Sequence, residues 1–186
     1  MAESFLGDGL VYEELLPLAW EPGPAPQGLA LARLNADNHQ LLGAEATLDE
    51  VRVSEALKEE SPALLHELQR LEYKLNILLR LTAELAARAS PLPAVQTARL
   101  GAHGLEWFGS AAPPVGGTGL LHIYINPALP QPLKIPCTVA GDRVQDQQRV
   151  AHMRFLEVSD AVVDMLEKLI FRHHRRLVAG ARVSSG

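Results

Sequence analysis

The most regular pattern in the sequence lies in residues 64–85, LLHELQRLEYKLNILLRLTAEL. Seven of its residues are separated by alternating intervals of four and three, which is the a/d repeat of a coiled coil: Leu64, Leu68, Leu71, Leu75, Leu78, Thr82 and Leu85. The repeat predicts one long helix over about 62–88, roughly 40 Å long at 1.5 Å per residue. A small β domain does not need so long a helix for its own packing. We therefore expect these seven residues to form an oligomer interface.

Apolar residues also flank this repeat. Leu65 and Leu79 fall at e positions and Leu81 at a g position, where a two-stranded coil usually carries charge. A wider apolar face favours three or four helices, or two helices and a covering domain. The alternative is an amphipathic helix that lies on its own domain. Leucine at both a and d does not by itself select the oligomer order.

Two signals for helix starts precede the repeat. Ser61-Pro62 places a proline where the first turn of a helix tolerates it. Thr47 and Glu50 have the spacing of a capping box, in which both side chains accept hydrogen bonds from backbone N–H groups at a helix start. The sequence therefore predicts a helix over about 48–60, a break, and then the long helix.

The N-terminal third is more acidic than the rest of the chain, and its first 46 residues are interrupted by prolines. Residues 1–60 hold 12 acidic and 3 basic side chains, whereas residues 61–186 hold 10 acidic and 14 basic ones. Such an asymmetry suggests two modules. We expect an acidic arm that includes an extended segment over 15–20. A short helix over 29–42 should follow, with Leu31, Leu34, Asn38 and Leu41 or Leu42 on one face and Gly43 at its end.

From residue 90 onward the apolar pattern changes to short segments separated by Pro, Gly or Asp. These predict strands over 94–100, 104–108, 119–125, 133–140 and 149–158, with a tight turn at Gly141-Asp142 between the last two. Such an arrangement is typical of a small antiparallel barrel. A final helix should begin near Ser159 or Asp160 and end near Leu177. Its last turns carry Arg172, Arg175 and Arg176. Cations are favoured at this end of a helix by the helix dipole.

The composition restricts the class of protein. The chain has 186 residues, 47% of them hydrophobic and 21% charged, which is typical of a soluble globular domain. Charges or prolines interrupt every apolar stretch before the roughly 20 residues of a membrane span, and the N-terminus lacks the features of a secretion signal. Cys137 is the single cysteine, so no internal disulfide can form. We expect a cytoplasmic protein without membrane insertion.

The sequence offers no pattern for catalysis, for a metal or for a cofactor. No Gly-x-Ser-x-Gly motif is present, and the seven histidines are scattered or adjacent rather than spaced as zinc ligands. The glycine-rich run at 116–119 lacks the Lys-Ser/Thr of a phosphate loop. We therefore expect a non-enzymatic protein. A barrel can also bind single-stranded nucleic acid, but the acidic chain and the few aromatic residues argue against nucleic-acid binding.

The order of the elements resembles the PilZ domain, a six-stranded β-barrel followed by a helix that is known as a bacterial receptor for cyclic di-GMP. The resemblance rests on residues 95–107, 117–121 and 155–158. Residues 70–79 and 171–176 resemble atypical PilZ proteins, including a tetrameric xanthomonad subgroup whose long heptad helices join four chains in parallel. The resemblance implies an α+β fold with four regions. These are an acidic arm with a short helix over 1–46, an oligomerisation region over 47–89, a barrel with its C-terminal helix over 90–178, and a flexible tail over 179–186.

The segments that hold the nucleotide in ligand-binding PilZ domains are altered here. Those domains carry Arg-x-x-x-Arg before the first strand and [Asp/Asn]-x-Ser-x-x-Gly early in the barrel. The second motif aligns with residues 99–104, where Gly104 is kept but Arg99 replaces Asp or Asn and Gly101 replaces Ser. The first motif has no counterpart, since Arg88 has no arginine four residues away. The resemblance, with these departures, implies that cyclic di-GMP is not bound in the standard way and that no cofactor is held.

We thus expect a non-enzymatic atypical PilZ protein that has lost its standard nucleotide site. It should form a tetramer through the heptad helix and present surfaces to an unidentified protein partner in bacterial signalling or motility. One alternative is a cyclic di-GMP receptor with a non-standard site built from Arg99, His103 and the C-terminal arginines. A nucleic-acid-binding barrel is a third and weaker alternative.

Overall fold

The structure, a computed structural model, describes residue 6 and residues 10–49, 62–89, 92–126 and 131–183. Six strands are present: β1 (Tyr12–Pro22), β2 (Val95–Leu100), β3 (Gly104–Phe108), β4 (Thr118–Ile123), β5 (Leu133–Gln145) and β6 (Gln148–Phe155). The described helices are α1 (Gly28–Asp49), α2 (Pro62–Ala89) and α3 (Asp160–Val183). The predicted α+β class, with a six-stranded antiparallel barrel and a C-terminal helix, is confirmed.

The strands form a closed barrel in the order β1-β2-β3-β6-β5-β4, and every neighbouring pair is antiparallel. Strand β1 closes the barrel because it has two partners. Residues 12–17 pair with β2, from Tyr12 opposite Leu100 to Pro17 opposite Val95. Residues 18–22 then pair with β4, starting with Leu18 opposite Ile123. Closure leaves no unpaired sheet edge around the barrel.

The segment over 15–20 is extended, as predicted, but it is not an arm apart from the barrel, because it lies inside β1 and supplies the sixth strand. Leu16 and Leu18 are buried in the core. The prolines around the segment favoured irregular structure, since proline cannot donate a ladder hydrogen bond. In the barrel, Pro17 lies where β1 passes from one partner strand to the other and Pro22 ends the strand. Both positions tolerate proline, and the barrel domain therefore includes part of residues 1–46.

The connection between β5 and β6 also differs from the prediction. The chain turns at Asp146 and Gln147, both with positive φ (48° and 63°), rather than at Gly141-Asp142. Gly141 instead follows a register shift after Val139 inside β5. Such a bulge inserts an extra residue and bends the strand, so the glycine serves the bulge and the hairpin extends further than expected.

The core consists of inward-facing residues of all six strands and one face of α3. Its largest fully buried members on the strands are Leu100, Leu105, Leu121, Ile123, Leu133, Ile135 and Met153. Helix α3 adds Val162, Leu166, Leu169 and Ile170, and α1 adds Leu41 and Leu42. Helix α3 therefore covers the barrel as the apolar spacing of its sequence predicts.

Helix α1 is longer than predicted. It continues through Gly43 to Asp49, and the Thr47 hydroxyl donates a hydrogen bond to the Gly43 carbonyl at 2.7 Å. That i to i−4 bond belongs to a helix interior, so the predictions of a helix end at Gly43 and of a helix start at Thr47 are both wrong. Glu50 and most of the helix predicted over 48–60 lie outside the described residues.

Polar contacts attach α1 to the rest of the fold. The buried Asn38 side chain donates to the Lys134 carbonyl at 2.8 Å and accepts from the Lys134 N–H at 3.0 Å. Asn35 makes the same pair of bonds with the Glu157 carbonyl and the Ser159 N–H. Glu45 receives a 2.6 Å hydrogen bond from Arg172 of α3. Helix α1 is thus fixed both to the start of β5 and to α3.

Helix α2 has the predicted bounds, 62–89 against about 62–88. In the described part of the chain it has no extensive packing contact with the barrel or with the other helices. Six of its leucines are exposed, from 38% for Leu68 to 64% for Leu85. One chain alone leaves this apolar surface in contact with water.

Helix α3 begins at Asp160, as predicted, but its backbone continues to Val183. Residues 179–183 were predicted to be part of a flexible tail, but they belong to this helix. Residues 184–186 lie outside the described ranges. Among the described residues, no helix combines the length and hydropathy of a membrane span.

Replacing Asn38 tests the attachment of α1. The Asn38→Ala variant leaves the N–H and carbonyl of Lys134 without their side-chain partner. We expect the free energy of unfolding to fall by about 2 kcal/mol. Urea denaturation at fixed protein concentration measures the change. Gln40→Ala, an exposed substitution on the same helix, is the control and should change stability by less than about 0.5 kcal/mol. Equal effects of the two variants would contradict this role of Asn38.

Candidate functional site

The three motif positions, two of them altered, lie together where β2 turns into β3. Arg99 is in β2, Gly101 follows the strand, and Gly104 opens β3. The turn is closed by the Gly101 N–H, which donates to the Gly104 carbonyl at 2.9 Å. A Cβ at Gly104 would come within 2.6 Å of the Met153 carbonyl oxygen, so only glycine fits without a shift of the backbone. This turn is held closely against β6.

Arg99 is directed to the outside of the barrel, since Ala98 and Leu100 on either side are buried in the core. Its Nε donates to Glu13 at 2.6 Å, and Nη1 lies 3.6 Å from Glu106. Its guanidinium also lies 5.4 Å from the ring centroid of Phe108. The hydrogen bond to Glu13 raises the pKa of Arg99 above its ordinary value. The cation is thus already paired with two carboxylates of its own chain.

Glu106 is the centre of the charge cluster on this face. It is 0% exposed, and its carboxylate lies 3.2 Å from Arg143, 3.5 Å from His152 and 3.6 Å from Arg99. The sequence predicted neither its burial nor its role. Alternation in β3 places Glu106 outside, between the buried Leu105 and Trp107, where a carboxylate is normally solvated. It is buried because Arg99 of β2, Arg143 of β5 and the imidazole of His152 of β6 lie over it.

His152 is the second buried polar residue of this cluster. It pairs with Glu106 across β3 and β6 and is 3% exposed. Burial lowers the pKa of His152; the nearby carboxylate of Glu106 opposes this shift, whereas the charge of Arg143 adds to it. A neutral imidazole beside a carboxylate and two guanidinium groups is a poor site for a further cation.

Arg149 extends the cluster toward the loop after β3. It donates to Asp142 at 2.7 Å and to the backbone carbonyls of Ala112 and Pro113 at 2.7 and 2.8 Å. Its donors are therefore engaged with a carboxylate and with loop backbone. Arg99, Arg143 and Arg149 thus all have acidic or carbonyl partners, which reduces their availability to an external phosphate. Arg154, by contrast, is exposed at the end of β6.

Beside this cluster, a groove of about 1050 Å³ lies between the β2–β3 turn, β6 and α3. Its lining contains the apolar residues Leu6, Leu10 and Phe171, the last of which is 50% exposed. The charged residues of the lining are Arg154, Asp164, Glu167 and Lys168. The groove has both the size and the mixed lining of a ligand or peptide site.

The non-standard site suggested by the sequence is brought together only in part. His103 lines the groove, whereas Arg99 lies in the neighbouring cluster and Arg172 pairs with Glu45 of α1. Arg175 lies 5.9 Å from the ring centroid of Phe171, at the edge of the groove. The described lining of the groove includes none of the C-terminal arginines.

Neither the cysteine nor the histidines form a reactive centre in the described ranges. Burial raises the pKa of Cys137 to about 12, so its thiol stays protonated and unreactive. The described residues contain no group of three His, Cys, Asp or Glu side chains placed to hold a metal ion.

The second candidate surface is the apolar face of α2. Of the predicted interface residues, Leu68, Leu71, Leu75, Leu78, Thr82 and Leu85 are all exposed. The side chain of Leu64 lies outside what the structure describes. Leu81 is also exposed and Leu79 half-buried, which widens the face as the sequence suggests.

Comparison with known proteins gives two findings. The family model described as the atypical PilZ domain, cyclic di-GMP receptor, matches residues 42–183. A crystal structure of a pathogenic protein from Xanthomonas campestris, a tetrameric PilZ domain self-assembled via an unusual helical bundle, is similar with a TM-score of 0.73. The two chains are 27% identical over 92% of each. No curated protein matches the chain. The resemblance predicted from the sequence is confirmed.

Neutralising Glu106 tests the charge cluster. Glu106→Gln keeps the shape of the side chain but leaves Arg99 and Arg143 without their shared buried carboxylate. We expect a loss of about 3 kcal/mol in the free energy of unfolding, since one partner of a buried ion pair is removed. Urea denaturation measures it. The exposed Glu167→Gln on α3 is the matched control and should have little effect. A Glu106→Gln variant as stable as this control would contradict the proposed role.

Proposed function

The chain belongs to the atypical PilZ domain family, and on that premise we propose that it is a homotetrameric, non-enzymatic protein-interaction scaffold that has lost standard cyclic di-GMP binding. The observation that carries this proposal is the row of exposed leucines on α2. The setting follows from the family: a bacterial signalling or motility pathway in the cytoplasm. The protein partner is a second protein that recognises several copies of the barrel at once.

The exposure of α2 supports self-association. Leu71, Leu75, Leu78 and Leu85 are each more than half exposed and lie on one heptad face of the helix. Complete burial of a leucine side chain contributes about 1.5–3 kcal/mol. Four such leucines per chain therefore represent a large free-energy gain when α2 meets its copies in a bundle. No element of the same chain, among those described, covers this face.

The width of the apolar face supports four chains rather than two. Leu79 and Leu81 lie at e and g positions beside the a/d seam, and the helix surface to be buried is larger than a two-stranded coil covers. The similar protein from Xanthomonas campestris is a tetramer assembled through a helical bundle. The same arrangement of α2 helices is the simplest one for this chain.

The chemistry at the motif positions supports the loss of standard nucleotide binding. Arginine has only hydrogen-bond donors, so Arg99 cannot accept the N–H groups of a guanine edge as Asp or Asn can. Its charge is also engaged by Glu13 and Glu106. Gly101 offers no side-chain hydroxyl, and the sequence has no Arg-x-x-x-Arg before β2. A cyclic dinucleotide carries two phosphates, which need free cations at the site.

A receptor with a non-standard site is the second candidate function. The description of the family as a cyclic di-GMP receptor favours it, and so does the groove of about 1050 Å³ next to the altered motif. In that case His103 and Arg154, both exposed at the groove, would be the polar residues nearest to the nucleotide.

Charge placed in the leucine seam tests the assembly. The double variant Leu71→Asp/Leu75→Asp buries unpaired carboxylates in any bundle, at a cost of several kcal/mol per chain. We expect sedimentation velocity to show a monomer. The matched control is Gln69→Asp/Asn76→Asp, which adds the same charges at exposed b positions and should keep the wild-type sedimentation. If the two double variants have the same sedimentation coefficient, the a/d seam is not the interface.

Titration with cyclic di-GMP tests the loss of the standard site. We expect isothermal titration of the purified full chain at ordinary salt to show no binding with a micromolar or tighter Kd, because Arg99 is neutralised and Gly101 lacks a hydroxyl. Saturable micromolar binding would overturn this part of the proposal. If that binding is then lost in a His103→Ala variant, the nucleotide binds in the groove and the second candidate function holds.

A further inference from the structure

We infer that the groove between the β2–β3 turn and α3 is a peptide-docking site, and that Leu6 of the same chain is its occupant at the turn. Leu6 and Leu10, the two leucines of this groove that precede β1, are the residues in question. The inference concerns a surface separate from α2 and does not depend on the oligomeric state or on nucleotide binding.

The contact that carries the inference joins Leu6 to the two glycines of the turn. A Cβ at Gly101 would lie 3.4 Å from Leu6 Cδ2, and a Cβ at Gly104 would lie 3.3 Å from the same atom. The leucine side chain thus packs against the backbone of the turn, and a side chain at Gly104 would press on it. Leu10 lines the same groove and is 49% exposed. Two leucines of one short segment therefore face one groove.

The position of the segment along the chain explains why it, rather than a foreign peptide, is the resident occupant. Strand β1 starts at Tyr12, which pairs with Leu100, the residue directly before Gly101. The N-terminal segment therefore leaves the barrel beside the β2–β3 turn. A short tether of this kind gives an effective concentration in the millimolar range. The tether therefore favours Leu6 over an untethered peptide that makes the same contact.

The lining of the groove indicates that apolar contact, not charge, selects the occupant. Its charged residues are of both signs, with Arg154 and Lys168 opposed by Asp164 and Glu167. The half-exposed ring of Phe171 adds apolar surface on the α3 side. At about 1050 Å³, the groove is also larger than one leucine requires. It therefore has room for a peptide segment beyond Leu6, and an external ligand that reaches the β2–β3 turn must displace Leu6.

Thiol labelling measures whether Leu6 covers the groove. Ala102, half-buried and part of the lining, is replaced in the full chain by Ala102→Cys. The native Cys137 is buried and stays silent because burial raises its pKa to about 12. Adding Leu6→Asp should raise the labelling rate of the introduced thiol about tenfold, the factor expected from the loss of one buried leucine contact.

Val144→Cys is the matched control. Val144 is 78% exposed and lies on β5, outside the groove lining. Its labelling rate should be the same with Leu6 and with Leu6→Asp. A rise at this position as well would mean that the substitution loosens the whole fold, and that result overturns the inference. An unchanged rate at Ala102→Cys in the Leu6→Asp background overturns it too.

A peptide added in trans provides the second measurement. A synthetic peptide of residues 1–11 should slow the labelling of the Leu6→Asp/Ala102→Cys chain in a saturable way, back toward the rate seen with Leu6. The same peptide with Leu6→Asp should not. If the two peptides behave alike, the groove does not recognise Leu6. Sedimentation of the same samples shows whether the oligomer persists, so failure here is distinguishable from failure of the proposed assembly.

Discussion

The hydrogen bonding of β1 to two strands, β2 through residues 12–17 and β4 through residues 18–22, is the constraint on which the other features depend. It closes the barrel and removes its edges. It also directs the preceding segment toward the β2–β3 turn, where Leu6 meets Gly101 and Gly104. In the other direction it leads into α1, which packs on the start of β5 and on α3.

Within the described residues, the acidic N-terminal part contacts the basic remainder of the same chain at two ion pairs: Glu13 with Arg99 and Glu45 with Arg172. On the outer face of β2 and β3, Glu13 and the buried Glu106 together neutralise Arg99. The cation at the altered motif is thus neutralised within the chain, which is the physical basis for proposing that the standard phosphate-binding role has been lost.

Local patterns in the sequence were sufficient for some elements and insufficient for others. The bounds of α2 and β3 were predictable because a heptad repeat and a short apolar run flanked by glycines are local signals. Strand β1 was missed because its prolines are acceptable only at the position where it changes partner. Helix α1 continues past Gly43 because tertiary contacts such as Glu45 with Arg172 outweigh the local preference of glycine for a helix end. The burial of Glu106 depends on three other strands, and no local pattern contains that information.

Two surfaces remain for interactions, the leucine face of α2 and the groove that Leu6 occupies. The central claim concerns the first, and the molar mass of the wild-type chain in solution tests it most directly. Multi-angle light scattering on the eluting peak of a size-exclusion column should give about four times the 20.2 kDa mass of one chain, unchanged on moderate dilution. A molar mass of 20.2 kDa at micromolar concentration would contradict the account, because the exposed leucines of α2 would then have no copies to meet.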